Sequence, residues 1–267
     1  MIRKAIEKGA RDIFLGIGGS ATHDLGTGIL RSLGVKFLDE NDKELKTPSQ
    51  LLKLKKIDHS SLDTLPDNLK ITFLCDVNNK LLGKNGAAYT YAKQKGAETQ
   101  YLIQKCEELS NIFYNYFNEE KNIEIGNKPG DGAAGGLPSI IRVLIHSELK
   151  SGANFTFDIA GIDQILNKVQ LVITGEGSFD KQSFFGKGPG LLLDKARKLN
   201  KYSIVLCGKI SPDVYIKDQQ NVSFLSINNS SEEIKIAIKN TDRNLYSSAK
   251  SVLKVLKLGL KYQKQLN

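Results

Sequence analysis

"KVQLVITGEGSFDKQSFFGKGPGLLLDKARKLNKYSIVLCGK", residues 168–209, decides the fold. Its ends, KVQLVITGEG and YSIVLCGK, are apolar runs of strand length, and the stretch from about Gly190 to Leu199 between them is helical in pattern. Strand, helix and strand in that order make a βαβ unit, which requires the two strands to run parallel. NVSFLSI (221–227) offers a third strand, and the last thirty residues read as helix.

The same alternation continues upstream. RDIFLGI (11–17) is a strand, and a helix from about Asp24 to Leu33 turns Ile29, Leu30 and Leu33 inward. VKFLDENDKEL (35–45) enters a polar turn. TPSQLLKLKKI (47–57) predicts a helix with Thr47 as N-cap, Pro48 in first position and Gln50 closing a capping box. ITFLCDVNN (71–79) is a buried strand with a polar end, and GAETQYLIQKCEELSNIFYNYF (96–117) a long helix. The fold class is therefore α/β. A composition shift at KSGANF (150–155) predicts two domains, 1–153 and 154–267.

With 267 residues, 40% of them hydrophobic, the chain can bury a core. No apolar run approaches the ~20 residues of a membrane helix, and the N-terminus lacks the apolar region of a signal peptide. Cys75, Cys106 and Cys207 are odd in number and far apart, which points to reduced thiols and a cytoplasmic protein. The net charge of +9 raises nucleic acid as a partner. The lysines are dispersed, however, and Lys254, Lys257, Lys261 and Lys264 share a helix face opposite Val252, Leu256 and Leu260, the pattern of a solvated face. A nucleic-acid binder is accordingly the least favoured class.

Four stretches carry candidate chemistry. LGIGGSATHDLGTG (15–28) runs from a strand into Gly18, Gly19 and Ser20, where bare backbone N–H groups suit an anion. CDVNN (75–79) puts Asp76 at a strand end, fit to hold Mg²⁺ or accept a proton. PGDGAAGGLP (129–138) matches G-x-G-x-x-G but lacks the preceding strand and later acid of a dinucleotide site; Gly132, Gly135 and Gly136 still suit a loop over phosphates. ITGEGSFDKQSFFGKGPG (173–190) ends a strand at Gly175 and Glu176, with Asp180, Gln182 and Lys187 following: acids for Mg²⁺ or a hydroxyl, a lysine for phosphate. Each has a plainer reading as a tight turn, a cap or a solvated loop. The chain contains no Walker A loop and no H-E-x-x-H.

In order, GIGGSATHDLGTGILRSLGVKFLD, CDVNNKLLGKNGAAYTYAKQKGA, GDGAAGGL and VITGEGSFDKQSFFGKGP resemble the bacterial glycerate kinase family over nearly the whole chain. The family pattern runs close to GLGGSATNDGGAGML, CDVDNPLxGxxGA…PQKGA, GAGAAGGL and ITGEGxxDxQTxxGKxP. The resemblance implies transfer of the ATP γ-phosphate to D-glycerate with Mg²⁺, in a cleft between a flavodoxin-like domain and an α/β domain inserted into it. Asp24, Asp76, Glu176 and Asp180 match acidic positions of these motifs, and Lys187 the lysine of GKxP. Asp76 and Glu176 are the implied Mg²⁺ or hydroxyl ligands. A relative that holds glycerate or nucleotide without turnover is the alternative.

Departures from the pattern are His23 for Asn, Lys181 for Gly, Phe185 where His is frequent, and Leu25 for Gly, a bulky side chain in a stretch otherwise kept small. The family's first strand, with a P-D-S-F-K-G-type motif, precedes the point where this sequence starts. The resemblance therefore implies an open sheet edge able to associate with that segment or with another chain.

Overall fold

The computed structural model describes residues 1–145, 147–184, 188–215, 221–228 and 233–266. It divides into two compact units, Met1–Gly152 and Ala153–Asn267.

In the first unit, α1 (Ile2–Glu7) leads into β1 (Asp12–Gly16), and a glycine-rich loop joins β1 to α2 (Thr27–Ser32). Next come β2 (Lys36–Leu38), β3 (Lys56–Asp58), β4 (Lys70–Leu74), α3 (Ala87–Tyr91), α4 (Gln100–Asn115), α5 (Ala133–Leu144) and β5 (Ser147–Lys150). Strands β1, β4 and β5 form a parallel sheet in that order, with Leu15 beside Phe73 and Phe73 beside Leu149. Ile71 and Phe73 point into a continuous apolar core that takes Leu25, Leu30, Phe37, Phe113 and Ile140 as fully buried members.

The predicted helix at 47–57 is corrected. Its capping box does form: the backbone N–H groups of Lys46 and Thr47 donate to Gln50 Oε1, and Gln50 N–H donates to Thr47 Oγ1. Only a 3-10 turn, Gln50–Lys53, follows it. Lys55 N–H already donates to the Leu38 carbonyl, which draws the chain into β3 antiparallel to β2. Sheet pairing here outcompetes a local helical preference.

The second unit holds α6 (Gly152–Ile159, beginning at the boundary), α7 (Ile162–Lys168), β6 (Leu171–Phe179), α8 (Gly188–Lys198) and β7 (Tyr202–Ile210). After them come α9 (Pro212–Tyr215), β8 (Val222–Ser226), α10 (Ile234–Lys239) and α11 (Thr241–Leu266). β6, α8 and β7 are the βαβ unit read from residues 168–209, and β6-β7-β8 is a parallel sheet with Ile173 beside Ile204 and Val205 beside Phe224. Phe179 packs edge-on to Phe184 and tilted against Phe224, with ring centroids 4.9 and 5.1 Å away. On α11 the four lysines are exposed, and Val252 packs on Ile204, Leu206 and Ile227. Leu256 and Leu260 remain 37% and 62% exposed, so this unit covers only part of the helix's apolar face. No helix among the described residues is long and apolar enough to cross a membrane.

Candidate active site

The glycine loop leaves β1 at the C-terminal edge of the parallel sheet, the edge where open α/β sheets bind ligands. Ile17 N–H still pairs with the Leu74 carbonyl, 3.3 Å away, so the loop starts beside the end of β4. Gly18, Gly19, Ser20, Asp76, Tyr91 and Lys95 then surround a cavity of about 360 Å³, closed on another side by Ala133 and Ala134. Gly19 has φ +71°, a left-handed conformation that favours glycine. Gly16 and Gly18 have no such φ, and a Cβ on either would meet nothing within 4 Å. Neither conformation nor packing among the described residues requires glycine at those two positions, and Gly18 lines the cavity.

Asp76, one residue past Cys75 at the end of β4, accepts a hydrogen bond from Ser151 Oγ at 2.8 Å. Gly152 lies against it, since a Cβ there would stand 3.3 Å from Asp76 Oδ2. On the α3 side, Tyr91 donates its hydroxyl to Asn79 Oδ1 at 2.6 Å, and Asn79 Nδ2 donates to the Asn85 carbonyl at 2.7 Å. That chain orients the Asn79 amide and fixes the phenol at the cavity wall. Burial raises the Tyr91 pKa. Lys95, the last residue of a 3-10 turn ended by Gly96 at φ +97°, bends back to the glycine loop. Its ammonium donates to the Thr22 carbonyl at 2.7 Å and lies 3.5 Å from Ser20 Oγ.

His23 supports the loop from behind. Ser110 Oγ donates to the Cys106 carbonyl and so accepts from His23 Nε2–H at 2.9 Å. The imidazole is thereby held as the neutral Nε2–H form, with the Nδ1 lone pair buried. Burial first, and the nearby Lys95 charge second, lower its pKa to about 4. Asp24 serves α2: its carboxylate accepts from Gly26 N–H, Gly28 N–H and Thr27 Oγ1 at 3.2–3.3 Å. Leu25 turns out of the loop into the core with no exposed surface.

The GDGAAGGL stretch is a packing knot beside the cavity. Ala134, Gly135 and Gly136 are consecutive left-handed residues, with φ +49°, +71° and +88°. A Cβ on Gly135 would stand 2.4 Å from the Thr22 carbonyl, and one on Gly132 would stand 2.2 Å from the Lys80 carbonyl. Asp131, wholly buried, pairs with Arg142 of α5 and accepts from Lys128 N–H. Burial raises the Asp131 pKa, and the guanidinium opposes that shift.

In the second unit, Gly175, Glu176, Ser178, Lys209 and Asn228 border a cavity of about 650 Å³. β6 runs on to Phe179, so Glu176 lies within the strand and not at its end as expected from the sequence, because β7 continues the ladder through Ile210. A Cβ on Gly175 would lie 2.6 Å from the Leu206 carbonyl, so the neighbouring strand requires that glycine. Cys207, paired with Glu176 across the sheet, has its thiol pushed up to about 11, chiefly by burial. Asp180 accepts from Ser183 N–H at 3.0 Å in the turn after β6. Lys187 and Phe185 lie outside the described residues. No group of three or more His, Cys, Asp or Glu that could hold a metal is gathered among the described residues.

Of the residues singled out from the sequence, the structure brings Gly18, Gly19, Ser20 and Asp76 to one cavity, and Gly175 and Glu176 to another. Lys95, Tyr91 and Ser151 went unnoticed. Lys95 carried a signal nonetheless, since it is the lysine of the QKGA string within the second motif. Tyr91 and Ser151 carried none, being set by long-range folding.

The model of the glycerate kinase family matches residues 1–257. A glycerate kinase of Bacillus cereus is 30% identical over 260 residues, covering 97% of this chain and 68% of the relative. A glycerate 2-kinase of Escherichia coli K12 is 32% identical over 263 residues, covering 98% and 69%. A crystal structure assigned as a glycerate kinase 2 from Salmonella typhimurium LT2 superposes with a TM-score of 0.72 at 30% identity, over 97% of this chain and 68% of that one. Motif order, parallel-sheet architecture and these matches agree: the chain belongs to the glycerate kinase family.

Proposed function

We propose that this protein transfers the γ-phosphate of ATP to D-glycerate, using Mg²⁺. One observation within the molecule carries the reading. The loop Ile17–Ser20 lines a strand-end cavity together with Asp76, and packing does not require the glycine at position 18. Such a cavity suits a small hydroxy acid, with N–H donors for its anion and a carboxylate for its hydroxyl. Asp76 is the residue we assign to the acceptor hydroxyl; Ser151 Oγ donates to its Oδ1, and Gly152 lies against its Oδ2.

The donor chemistry fits Mg²⁺, which is normally held by one or two carboxylates together with substrate phosphates rather than by a protein cage. Asp76 is the carboxylate assigned to it in the first cavity, and Glu176 is the corresponding candidate in the second. When bound, the ion neutralises charge on the phosphates during transfer. Lys187 is assigned to phosphate by its place in GKGP.

The direct test is ADP formation dependent on D-glycerate, with the product's phosphate position read by NMR. Asp76→Asn is expected to lower kcat by about 10² or more, the usual scale for a proton-accepting group. Unchanged turnover in that variant removes Asp76 from the reaction. Binding of glycerate or nucleotide without turnover would identify a non-catalytic relative instead.

A further inference from the structure

Lys93 and Lys95 flank one glutamine, yet they differ completely in surroundings. Lys93 is exposed, whereas Lys95 is half-buried with its ammonium bent towards residues 20–22. Its contacts there are a hydroxyl and a carbonyl, both neutral. Among the described residues no carboxylate forms an ion pair with it. Asp24, the nearest acidic residue in sequence to the loop, is committed to the first turn of α2. His23 cannot supply a counter-charge, being neutral. Gly18, Gly19 and Ser20 line the same cavity, and none of their backbone N–H groups has a hydrogen-bond partner among the described residues.

A cation taken partly out of water without an anion is unfavourable by itself. Desolvation lowers the Lys95 pKa, and the nearby Asp24 charge opposes that shift without reversing it. A cavity lined by an ammonium without an ion-pair partner among the described residues and by three residues with unused N–H donors is complementary to a small anion.

We propose that Lys95 is the carboxylate anchor of the hydroxy-acid substrate, with the backbone of Gly18, Gly19 and Ser20 completing the anion site. This rests on the glycerate reading above. It gives the two charged groups of the cavity separate tasks: Lys95 fixes the acid's carboxylate, and Asp76 faces its hydroxyl. It also predicts the substrate class, since acids retaining both groups fit and neutral polyols do not.

The experiment is equilibrium calorimetry on the full chain, with D-glycerate, glycerol, inorganic phosphate and ATP as separate ligands. Wild type, Lys95→Met and Lys95→Arg are compared. Lys95→Met is expected to weaken D-glycerate roughly thirtyfold, the scale of a lost charge-assisted hydrogen bond. Lys95→Arg restores part of that loss, ATP affinity stays within about twofold, and glycerol does not bind. A loss confined to ATP or inorganic phosphate overturns the assignment by making Lys95 a phosphate ligand. Equal D-glycerate affinity in wild type and Lys95→Met overturns it by making the lysine structural. Should Lys95→Met misfold, the unmodified protein still decides: added D-glycerate must shift the amide signals of Gly18 and Gly19, and glycerate binding without those shifts refutes the site. Wild type that binds no hydroxy acid would instead remove the functional reading on which the proposal stands.

Discussion

Leu25 occupies a left-handed conformation at φ +54° with no exposed surface. That backbone costs a non-glycine residue roughly 1 kcal/mol, while burying a leucine contributes about 2 kcal/mol, so burial wins and the side chain is retained. Leu25→Ala keeps the strain and loses the packing; a loss of 2–5 kcal/mol in urea denaturation is expected. D-Glycerate affinity should be unchanged, because Leu25 faces the core and not the cavity. His23 makes a pH prediction. Its pKa is about 4 folded and 6.5 in the reference state, so the unfolded chain binds the extra proton between those values. Stability is therefore full above about pH 6.5 and declines as pH falls towards 4, by up to about 3 kcal/mol. His23→Asn removes the titrating group, and its stability curve should be flatter than wild type over that window.

At the scale of elements, the two glycine segments beside the first cavity do different work and should respond differently to alanine. Gly135 has φ +71°, and its position for a Cβ is blocked by backbone of residues 22 and 23. Gly135→Ala is expected to cost more than about 2 kcal/mol, because neither the φ nor the backbone contact can relax cheaply. Gly18→Ala meets no neighbour and no forbidden φ, so its stability should stay within about 0.5 kcal/mol of wild type. Its D-glycerate affinity should fall, since the new methyl occupies space otherwise open to the ligand. Thermal melts and calorimetry on the pair separate packing from recognition. Equal behaviour of the two variants in both measurements would refute the division.

The whole molecule carries unequal cores. In the first unit one apolar cluster extends from Ile2 to Ile145. In the second, the described residues form three smaller clusters around Phe179, Leu166 and Ile204. Cooperative stability follows the continuity of buried apolar contacts. Amide exchange should accordingly be slowest in β4, and β6 and β7 should exchange at lower opening free energy. Uniform protection across both sheets would contradict this. A single unfolding midpoint would not describe such a chain.

The amino-acid order alone determined the α/β class, the βαβ unit at 168–209 and the sequence of glycine motifs that marks the family. These are local properties: apolar period, turn residues and spacing survive without knowledge of what packs on what. Legible too was the placement of Gly18, Gly19, Ser20 and Asp76 together at the end of the parallel strands, because strand ends followed by small or acidic residues mark that edge. The tertiary structure alone decided which glycines face a cavity and which merely let backbones touch; Gly18 and Gly135 look alike in sequence and differ wholly in surroundings. It also decided that Asp131 is a buried partner of Arg142, and that Lys95 reaches a carbonyl 73 residues away while Lys93 does not. Those outcomes depend on long-range packing and on where water is excluded, and neither is written in any short stretch of the chain.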